Sequence, residues 1–287
     1  MPTTIAFINL KGGVAKTTTA VATAQILSGV HQKKVLLIDL DPQTNATVML
    51  VGDDRWKKLN EVGATVAQLF QDAVDPKDPR FDAKAAIQHQ VGAVDEVGSV
   101  SLLPSSLDLI RIQDKLVTMP MGQFQARTPI DILHRAIRDK LDEFDFILID
   151  CPPSLGLITL NGLRFADGYV IPTIPDVLST YGIPQIITRV AEFAEEIVEP
   201  IEPLGILATK FQTQQVAHRS QLRILRQKAD APVFDTVITQ GTELSSAAEY
   251  VRKGTLRQKW GYQNGFPLYS RFVKELLQKL GSKAVPV

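Results

Sequence analysis

The 287-residue sequence predicts an α/β fold built on one doubly wound, mostly parallel sheet with helices on both faces. Short β-branched runs bounded by turn residues recur along the chain, and segments with helical periodicity separate them. The predicted strands are residues 4–9, 34–40, 100–103, 146–150, 168–173, 204–209 and 233–239. Residues 51–98 are less regular and predict a loop or short connecting helices. We expect a single domain over residues 1–287.

Composition narrows the class of protein further. The hydrophobic content of 45% is sufficient for a core, and 31 basic residues balance 31 acidic ones, so the overall charge indicates no particular partner. The single cysteine, Cys151, permits no internal disulfide and suits a reducing compartment. The sequence shows neither a signal peptide nor a run of about 18 apolar residues. We therefore expect a soluble, cytoplasmic protein without a membrane association.

The first predicted strand runs into a glycine turn that is typical of a phosphate-binding loop. Residues 8–20 read INLKGGVAKTTTA, and a helical segment begins near Lys16. In the general pattern G-x-x-x-x-G-K-[ST], backbone amides surround the phosphates and the helix N-terminus favours an anion. Lys16 and Thr17 match its lysine and hydroxyl, but Leu10 and Ala15 replace the two glycines. An accidental glycine turn before a helix is the alternative.

Three aspartates follow other predicted strands. Asp39 and Asp41 end the second strand, and a two-residue period predicts that both point to the same side. Asp150 closes the fourth strand beside an apolar core, where a carboxylate is costly unless it meets a cation or hydrogen bonds. Because ligands bind beyond the carboxyl ends of parallel strands, these groups and the glycine turn predict one metal–phosphate site.

Three motifs in this order resemble a known family. They are KGGVAKTT, DLDPQTNAT and DCPPSLGLITLNGL, and the similarity also includes VSLLPSS and VITQGTELSSAAEYVRKG, from residue 4 to about 260. Together they resemble the deviant Walker A ATPases of the ParA/Soj type, which are P-loop proteins related to the MinD septum-site proteins. The family loop reads K-G-G-V-G-K-T-T, so Leu10 is acceptable and Ala15 is the real departure.

The resemblance implies a role for each matching residue. Lys11, the signature lysine, would reach a partner's nucleotide; Lys16 would hold the β- and γ-phosphates, and Asp41 would orient the attacking water. Thr17, Asp39 and Asp150 would surround Mg²⁺. The expected ATP contacts are Lys11, Gly12, Gly13, Val14, Ala15, Lys16, Thr17, Thr18, Thr209 and Lys210.

Other positions are left open by the sequence. If Ala15 needs φ > 0, alanine carries strain of about 1 kcal/mol or more; if φ is negative, the substitution is harmless. Asn45 and Asn161 match asparagines that lie near the nucleotide or interface in the family, while turn chemistry is the alternative. The adenine pocket is expected near residues 209–211 and the loop after Thr239.

The neutral overall charge hides a basic segment. Residues 210–260 contain nine basic and four acidic residues. A helix over residues 216–228 would align Arg219, Arg223 and Arg226 on one stripe. We expect a surface that binds double-stranded DNA without sequence preference, through Arg219, Arg223, Arg226, Lys228, Arg252, Lys253, Arg257 and Lys259. A solvated helix face is the alternative.

Rival functions are weaker. A MinD-like membrane-cycling ATPase would use the apolar face of residues 270–281, but a helix docked on the sheet has the same pattern. A nitrogenase-iron-protein-like reductase needs two thiolates per chain for its [4Fe–4S] cluster, and only Cys151 is present. No G-x-G-x-x-G follows the first strand, which disfavours a Rossmann dehydrogenase. The short N-terminus predicts no helix-turn-helix extension.

The sequence therefore predicts a Mg²⁺-dependent ATPase that forms a homodimer around ATP. We expect it to associate with the nucleoid and to position a cargo, with plasmid or chromosome partition favoured and carboxysome-type cargo as an alternative. A ParB-like protein or cargo adaptor would stimulate slow hydrolysis.

Overall fold

The computed structural model describes residues 2–118 and 129–283, and within them seven strands form one sheet. Every pairing between these strands is parallel, and their order across the sheet is β3-β2-β4-β1-β5-β6-β7. The strands are β1 (Thr3–Phe7), β2 (Val35–Asp39), β3 (Val100–Leu103), β4 (Phe146–Asp150), β5 (Gly168–Thr173), β6 (Glu202–Phe211) and β7 (Val233–Thr239). The predicted fold class is confirmed, with a sheet that is parallel throughout.

Helices connect the strands and cover both faces of the sheet. The helices are α1 (Lys16–Gly29), α2 (Asn45–Val51), α3 (Asp53–Glu61), α4 (Val66–Val74), α5 (Ala83–Ala86), α6 (Leu109–Thr118), α7 (Ile132–Leu141), α8 (Leu157–Leu163), α9 (Val177–Thr180), α10 (Ile183–Ile197), α11 (Val216–Lys228), α12 (Thr242–Ser246), α13 (Leu256–Trp260) and α14 (Gly265–Lys283). A 3₁₀ turn, Pro129–Asp131, precedes α7. The short helices α3 to α5 fall in the region where the sequence predicts a loop or short helices.

The central strands are buried on both faces, and their composition explains why. All five residues of β2 and all five of β4 are buried, including the aspartate that ends each strand. A parallel sheet covered by helices on both sides favours such continuous apolar runs over alternation. Strands β2, β3 and β4 lie on one side of β1 in the sheet, and β5, β6 and β7 lie on the other side, so the strand order reverses at β1. The carboxyl end of β1 therefore lies at the crevice where ligands bind in such sheets.

The last long helix, α14, docks on the body of the protein. It packs against β7 and α1. Its side chains Phe272, Val273 and Leu276 are fully buried, and the Phe272 ring meets the edge of Phe234 at 4.9 Å between centroids. The apolar face that a membrane-cycling protein would place on a bilayer is therefore occupied by the sheet. Among the helices of the described residues, none has both the length and the apolar composition to cross a membrane.

Candidate nucleotide-binding site

The loop between β1 and α1 is open on the side where a ligand would lie. A Cβ built on Gly12 or Gly13 would meet no atom within 4 Å. Gly13 also has φ 76°, a left-handed conformation that glycine adopts without steric cost. Helix α1 begins at Lys16, so its first amide N–H groups and its positive dipole end point toward the loop. The local backbone suits an anion of the size of a phosphate chain.

Ala15, the residue that departs from the family pattern, has φ 64° and ψ 32°. The sequence left two alternatives open, and this left-handed conformation selects the strained one. An L-residue pays roughly 1–2 kcal/mol there, because its Cβ crowds the following carbonyl oxygen. The Ala15 carbonyl nevertheless accepts hydrogen bonds from both the amide (3.0 Å) and the hydroxyl (2.7 Å) of Thr19, which hold it at the start of α1.

Buried polar side chains support the loop from beneath. The Asn9 amide group donates to the Pro172 carbonyl at 2.8 Å, while its Oδ1 accepts the Lys11 N–H at 2.9 Å. The Thr209 hydroxyl is fully buried, and its single proton is shared between the carbonyls of Val14 (3.0 Å) and Thr173 (3.1 Å). The expected contact of Thr209 with ATP stays a prediction, and its hydroxyl supports the loop backbone. Val14 is likewise buried beneath the loop.

A cavity of about 350 Å³ lies above the loop. It is lined by Gly12, Gly13, Ala15, Lys16, Thr17, Thr18, Asp41, Gln43, Asn45, Val48, Met49, Pro153, Lys210 and Ala248. Eight of these residues are among those that the sequence assigns to the site. A larger cavity of about 630 Å³ lies between α4 and α7, away from the loop and mainly apolar in its lining. The smaller cavity therefore has the charged and polar lining that a nucleotide requires, although the other cavity is larger.

Lys16 supplies the positive charge at the base of this cavity. Only 6% of the residue is exposed, and its Nζ donates to the Lys11 carbonyl at 3.2 Å. Burial lowers the pKa of the Lys16 ammonium, and the carboxylates of Asp150 and Asp41 oppose that shift. An ammonium has three donors. The carbonyl bond leaves it able to meet phosphate oxygens as well.

Asp150 is a fully buried carboxylate at the end of β4. Neither of its oxygens has a hydrogen bond among the described residues, although the Thr17 hydroxyl lies close enough to lower the carboxyl pKa. Burial, and secondly the charge of Asp39, raises the pKa of Asp150 well above its ordinary value. An unpaired buried carboxylate costs free energy that a cation would recover. Its place beside Thr17 and Lys16 fits a Mg²⁺ ion better than any apolar ligand.

Asp39 faces Asp150 across the pair of strands β2 and β4, but its bonds differ. Its Oδ2 accepts from the Thr47 amide (2.9 Å) and hydroxyl (2.7 Å), and its Oδ1 accepts the Asp41 N–H at 3.1 Å. Burial raises the pKa of Asp39 to about 7. Strand β2 ends at Asp39, so Asp41 lies beyond the strand to which the two-residue period applies, and the expectation that both side chains point to the same side stays a prediction. Asp41 lines the cavity, whereas the Asp39 carboxylate binds Thr47 and the Asp41 N–H.

Asp41 is held by two neighbouring segments. Its Oδ1 accepts the Gln43 N–H at 2.9 Å, and its carbonyl accepts the Ser105 hydroxyl at 2.8 Å. Burial raises the pKa of Asp41, while the Gln43 amide and Lys16 oppose that effect. Ser105 belongs to the VSLLPSS stretch, and the sequence predicts no role for it or for Gln43. Both residues are uncharged, so their contacts with Asp41 could be found only in the folded structure.

The donor set agrees with the way proteins hold Mg²⁺. Among the described residues, no three His, Cys, Asp or Glu side chains form a preformed metal cage. Mg²⁺ is typically held by one or two carboxylates together with substrate phosphates and water, so a complete protein cage is not required. Asp150 with Thr17 fits this arrangement, and Asp39 fits a supporting position behind it.

Lys11 points away from its own cavity. Its Nζ donates to the Ser179 hydroxyl at 2.7 Å and lies 3.6 Å from Asp176 Oδ1, beside α9. The side chain is 41% exposed, so this contact lies at the protein surface. Neither Asp176 nor Ser179 belongs to a motif that the sequence analysis identified. One signal was present, since aspartate is a preferred residue at the N-cap of a helix.

Of the two asparagines, only Asn45 lines the cavity. Asn161 is fully buried; its Oδ1 accepts the Leu133 N–H, and its amide group donates to the carbonyls of Pro129 and Leu157. These bonds join α8 to the start of α7. Asn161 therefore has the structural role that the sequence analysis left as the alternative.

The predicted basic surface is divided. Helix α11 carries four exposed basic side chains: Arg219, Arg223, Arg226 and Lys228. The other four residues lie at or next to α13, which packs against α1 and α14. Helix α1 connects β1 to β2, and α11 connects β6 to β7, so the two connections run in opposite directions across the sheet. Because connections between parallel strands are right-handed, α1 and α11 lie on opposite faces. The eight residues therefore do not form one continuous surface.

Within the second group, one assignment is wrong. Lys259 is only 5% exposed, and its Nζ donates to the Glu249 carbonyl at 2.6 Å. Burial lowers the pKa of Lys259 to about 8. Arg252 is paired with Asp95 at 2.9 Å, and the Arg257 guanidinium lies over the Phe266 ring at 5.0 Å. The exposed stripe on α11 is the better candidate for phosphate contacts.

An all-parallel α/β sheet with a glycine loop, a buried lysine and strand-end carboxylates around one cavity defines a P-loop nucleotide-binding protein. Comparisons with known proteins give the particular family. The model of the AAA domain family matches residues 2–202. The chromosome-partitioning ATPase Soj of Thermus thermophilus is 30% identical over 277 residues, which cover 96% of each chain. The chain belongs to this AAA domain family and, within it, to the ParA/Soj-type ATPases.

Solved structures with the same fold agree. Cobyrinic acid a,c-diamide synthase from Mycobacterium smegmatis, crystallised with an ATP analog and magnesium, is 27% identical with a TM-score of 0.73; the match covers 99% of this chain and 97% of that one. A variant of McdA from Cyanothece, in complex with ATP, is 21% identical with a TM-score of 0.72, over 98% of this chain and 96% of that one, and supports the fold.

Proposed function

We propose that this chain is a Mg²⁺-dependent ATPase that pairs with a second copy when ATP is bound, attaches to DNA without sequence preference, and positions a cargo. The observation that carries this proposal is the convergence of Lys16, Thr17 and the unpartnered Asp150 on one side of an open glycine loop. A buried cation and a buried carboxylate at one site fit a ligand that has phosphates and a divalent metal together.

Each residue has a role that follows from its contacts. Lys16 and the amides of residues 12–17 would hold the phosphates, and Thr17 with Asp150 would hold the metal, which neutralises phosphate charge when bound. Asp41 lines the cavity with one carboxylate oxygen bound to the Gln43 amide, so its other oxygen is available to orient water. Phosphoryl transfer depends on such positioning and charge stabilisation. Lys210, exposed at the cavity edge with φ 49°, is the remaining candidate contact.

DNA attachment is proposed for the exposed stripe on α11. Phosphate contacts made by Arg219, Arg223 and Arg226 carry no base information, so binding would be nonspecific and would weaken steeply with salt. Pairing of two chains would double the number of contacts. ATP could then control attachment through pairing alone. The chain would associate with the nucleoid in the cytoplasm.

The cargo would be specified by a partner protein. Chromosome or plasmid partition is the proposed role, and the names of two relatives, Soj and ParA, refer to chromosome partitioning. A ParB-like adaptor would stimulate hydrolysis. Carboxysome-type cargo is the alternative. A pulldown from cells with the Asp41→Ala variant, trapped with ATP, would identify the adaptor.

The central experiment compares two variants of the site. Lys16→Ala should lose ATP binding, measured by calorimetry, because it removes the buried cation. Asp41→Ala should bind ATP with Mg²⁺ but hydrolyse it at least about 100-fold more slowly, the scale expected for a lost general base or water-orienting group. Lys57→Ala, an exposed lysine on α3, serves as the control. Normal hydrolysis by Asp41→Ala would contradict the assignment.

DNA retention on a nonspecific duplex at moderate salt tests the coupling. With ATP and Mg²⁺, Asp41→Ala should accumulate on the duplex, because it pairs and does not hydrolyse. Lys16→Ala should not be retained. Equal retention of the two variants would count against nucleotide control of DNA binding.

A further inference from the structure

Helix α9 holds the ammonium of Lys11, and nothing in the proposed function requires that contact. Asp176 is the N-cap of this helix; its carboxylate accepts the Ser179 amide and hydroxyl, both at 2.7 Å. The Ser179 hydroxyl in turn accepts from Lys11 Nζ at 2.7 Å, and Asp176 Oδ1 lies 3.6 Å from the same ammonium. The three groups form one connected arrangement of a cation, a hydroxyl and a carboxylate.

The backbone of Lys11 is tied to the nucleotide loop at the same time. Its N–H donates to Asn9, and its carbonyl accepts from the Lys16 ammonium at 3.2 Å. Lys16 is also the residue that would meet phosphate oxygens. When Lys16 donates to phosphate, the Lys11 carbonyl shares or loses that donor. Lys11 therefore connects Lys16 to α9, because its backbone carbonyl binds Lys16 and its side chain binds Ser179.

We propose that Asp176 and Ser179 are positioning residues that hold Lys11 out of reach of a second copy of this chain until nucleotide is bound. This inference rests on the proposed function, in which two copies pair around ATP, and on the role that the family resemblance implies for Lys11, which is to reach the partner's nucleotide. The constraint is one of position: the Lys11 ammonium has to leave Ser179 and Asp176 before the side chain can extend into a partner's cavity. The free energy needed to release Lys11 from Asp176 and Ser179 then opposes the association of two chains. The strength of these contacts sets how much nucleotide is needed for the chains to associate.

The magnitude follows from the exposure of the groups. An ion pair at the surface and a hydrogen bond from an ammonium to a hydroxyl each contribute little, so we expect their loss to strengthen pairing about 3- to 10-fold. The Asp176→Asn change removes the charge and keeps a residue that caps helices about as well. The Ser179→Ala change removes the hydroxyl that accepts from Lys11.

The first test follows pairing by analytical ultracentrifugation with Mg²⁺ and a non-hydrolysable ATP analogue. Both variants should pair at about 3- to 10-fold lower protein concentration than the wild type. The matched control is Asp82→Asn, because Asp82 is also the N-cap of a four-residue helix, α5, and its carboxylate accepts the Lys84 amide at 2.9 Å. Pairing of Asp176→Asn and Ser179→Ala that is equal to or weaker than that of the wild type overturns the proposal.

The second test measures the hold on Lys11 without nucleotide and without a second copy. The bonds to Ser179 and the charge of Lys11 lower the pKa of the Asp176 carboxyl, against the effect of burial. Carbon-detected NMR titration should show this pKa rising in Lys11→Gln and staying unchanged in Lys57→Gln. No change in Lys11→Gln overturns the proposal by itself. A wild type that fails to pair with the analogue, while the Asp176 pKa still rises in Lys11→Gln, would contradict the proposed pairing and would leave the contact between Lys11 and α9 supported.

Discussion

Ala15 gives the sharpest test of the loop geometry. Its backbone is left-handed, with φ 64° and ψ 32°. Replacement by glycine would relieve roughly 1–2 kcal/mol of steric cost. Glycine also gives the unfolded chain more freedom, which takes back about 0.4–1 kcal/mol. We therefore expect Ala15→Gly to raise the free energy of unfolding by about 0.5–1 kcal/mol, equivalent to about 1–3 °C in Tm for a chain of this size.

The assay is calorimetric or spectroscopic unfolding without nucleotide, alongside the same change at a second alanine. Ala85 is exposed within α5, where glycine should lower the free energy of unfolding by about 0.5–1 kcal/mol. The two alanine-to-glycine changes thus have opposite predicted signs. A decrease in Tm for Ala15→Gly similar to that for Ala85→Gly would refute the strained conformation of Ala15.

Three further outcomes follow from contacts of individual side chains. The pKa of Lys259 is about 8 in the folded protein and 10.5 in the unfolded chain. Burial of its charge therefore lowers the free energy of unfolding by its full amount below about pH 8, and this effect disappears as the pH rises toward 10.5. With allowance for solvent screening, Lys259→Met should be more stable than the wild type by about 1–3 kcal/mol in urea unfolding at pH 7, and the advantage should shrink at pH 10. Thr209→Val leaves the carbonyls of Val14 and Thr173 without their donor, so calorimetry should record a loss of about 1–3 kcal/mol. Arg223→Ala should reduce the slope of log DNA affinity against log salt by about 1, measured by fluorescence anisotropy, whereas Lys259→Met should leave that slope unchanged.

The sheet could be predicted from the sequence because its signals are local. The observed bounds of β3, β4, β5 and β7 coincide with the predicted ones, and α11 begins and ends where the basic helix was predicted. Each of these strands is an apolar run that turn residues interrupt. The bounds of β1, β2 and β6 differ by a few residues, since hydrogen bonding extends or shortens a strand without a matching change in composition.

The site was harder to predict because its details depend on tertiary contacts. The sequence places Asp39 and Asp41 one residue apart, but only the end of β2 decides that Asp39 turns to Thr47 and Asp41 to the cavity. Lys259 counts as a basic residue in any sum of charges. Its burial depends on α13 packing against α1 and α14, which no spacing of basic residues reveals.

Thr180, the last residue of α9, accepts a hydrogen bond from Gln221 of α11 at 2.7 Å. Its neighbour Ser179 touches the nucleotide loop through Lys11. Two adjacent side chains thus span the distance between the phosphate-binding end of the sheet and the helix that carries the arginine stripe. Because α9 is a single helical turn, a shift of this helix would move both contacts together.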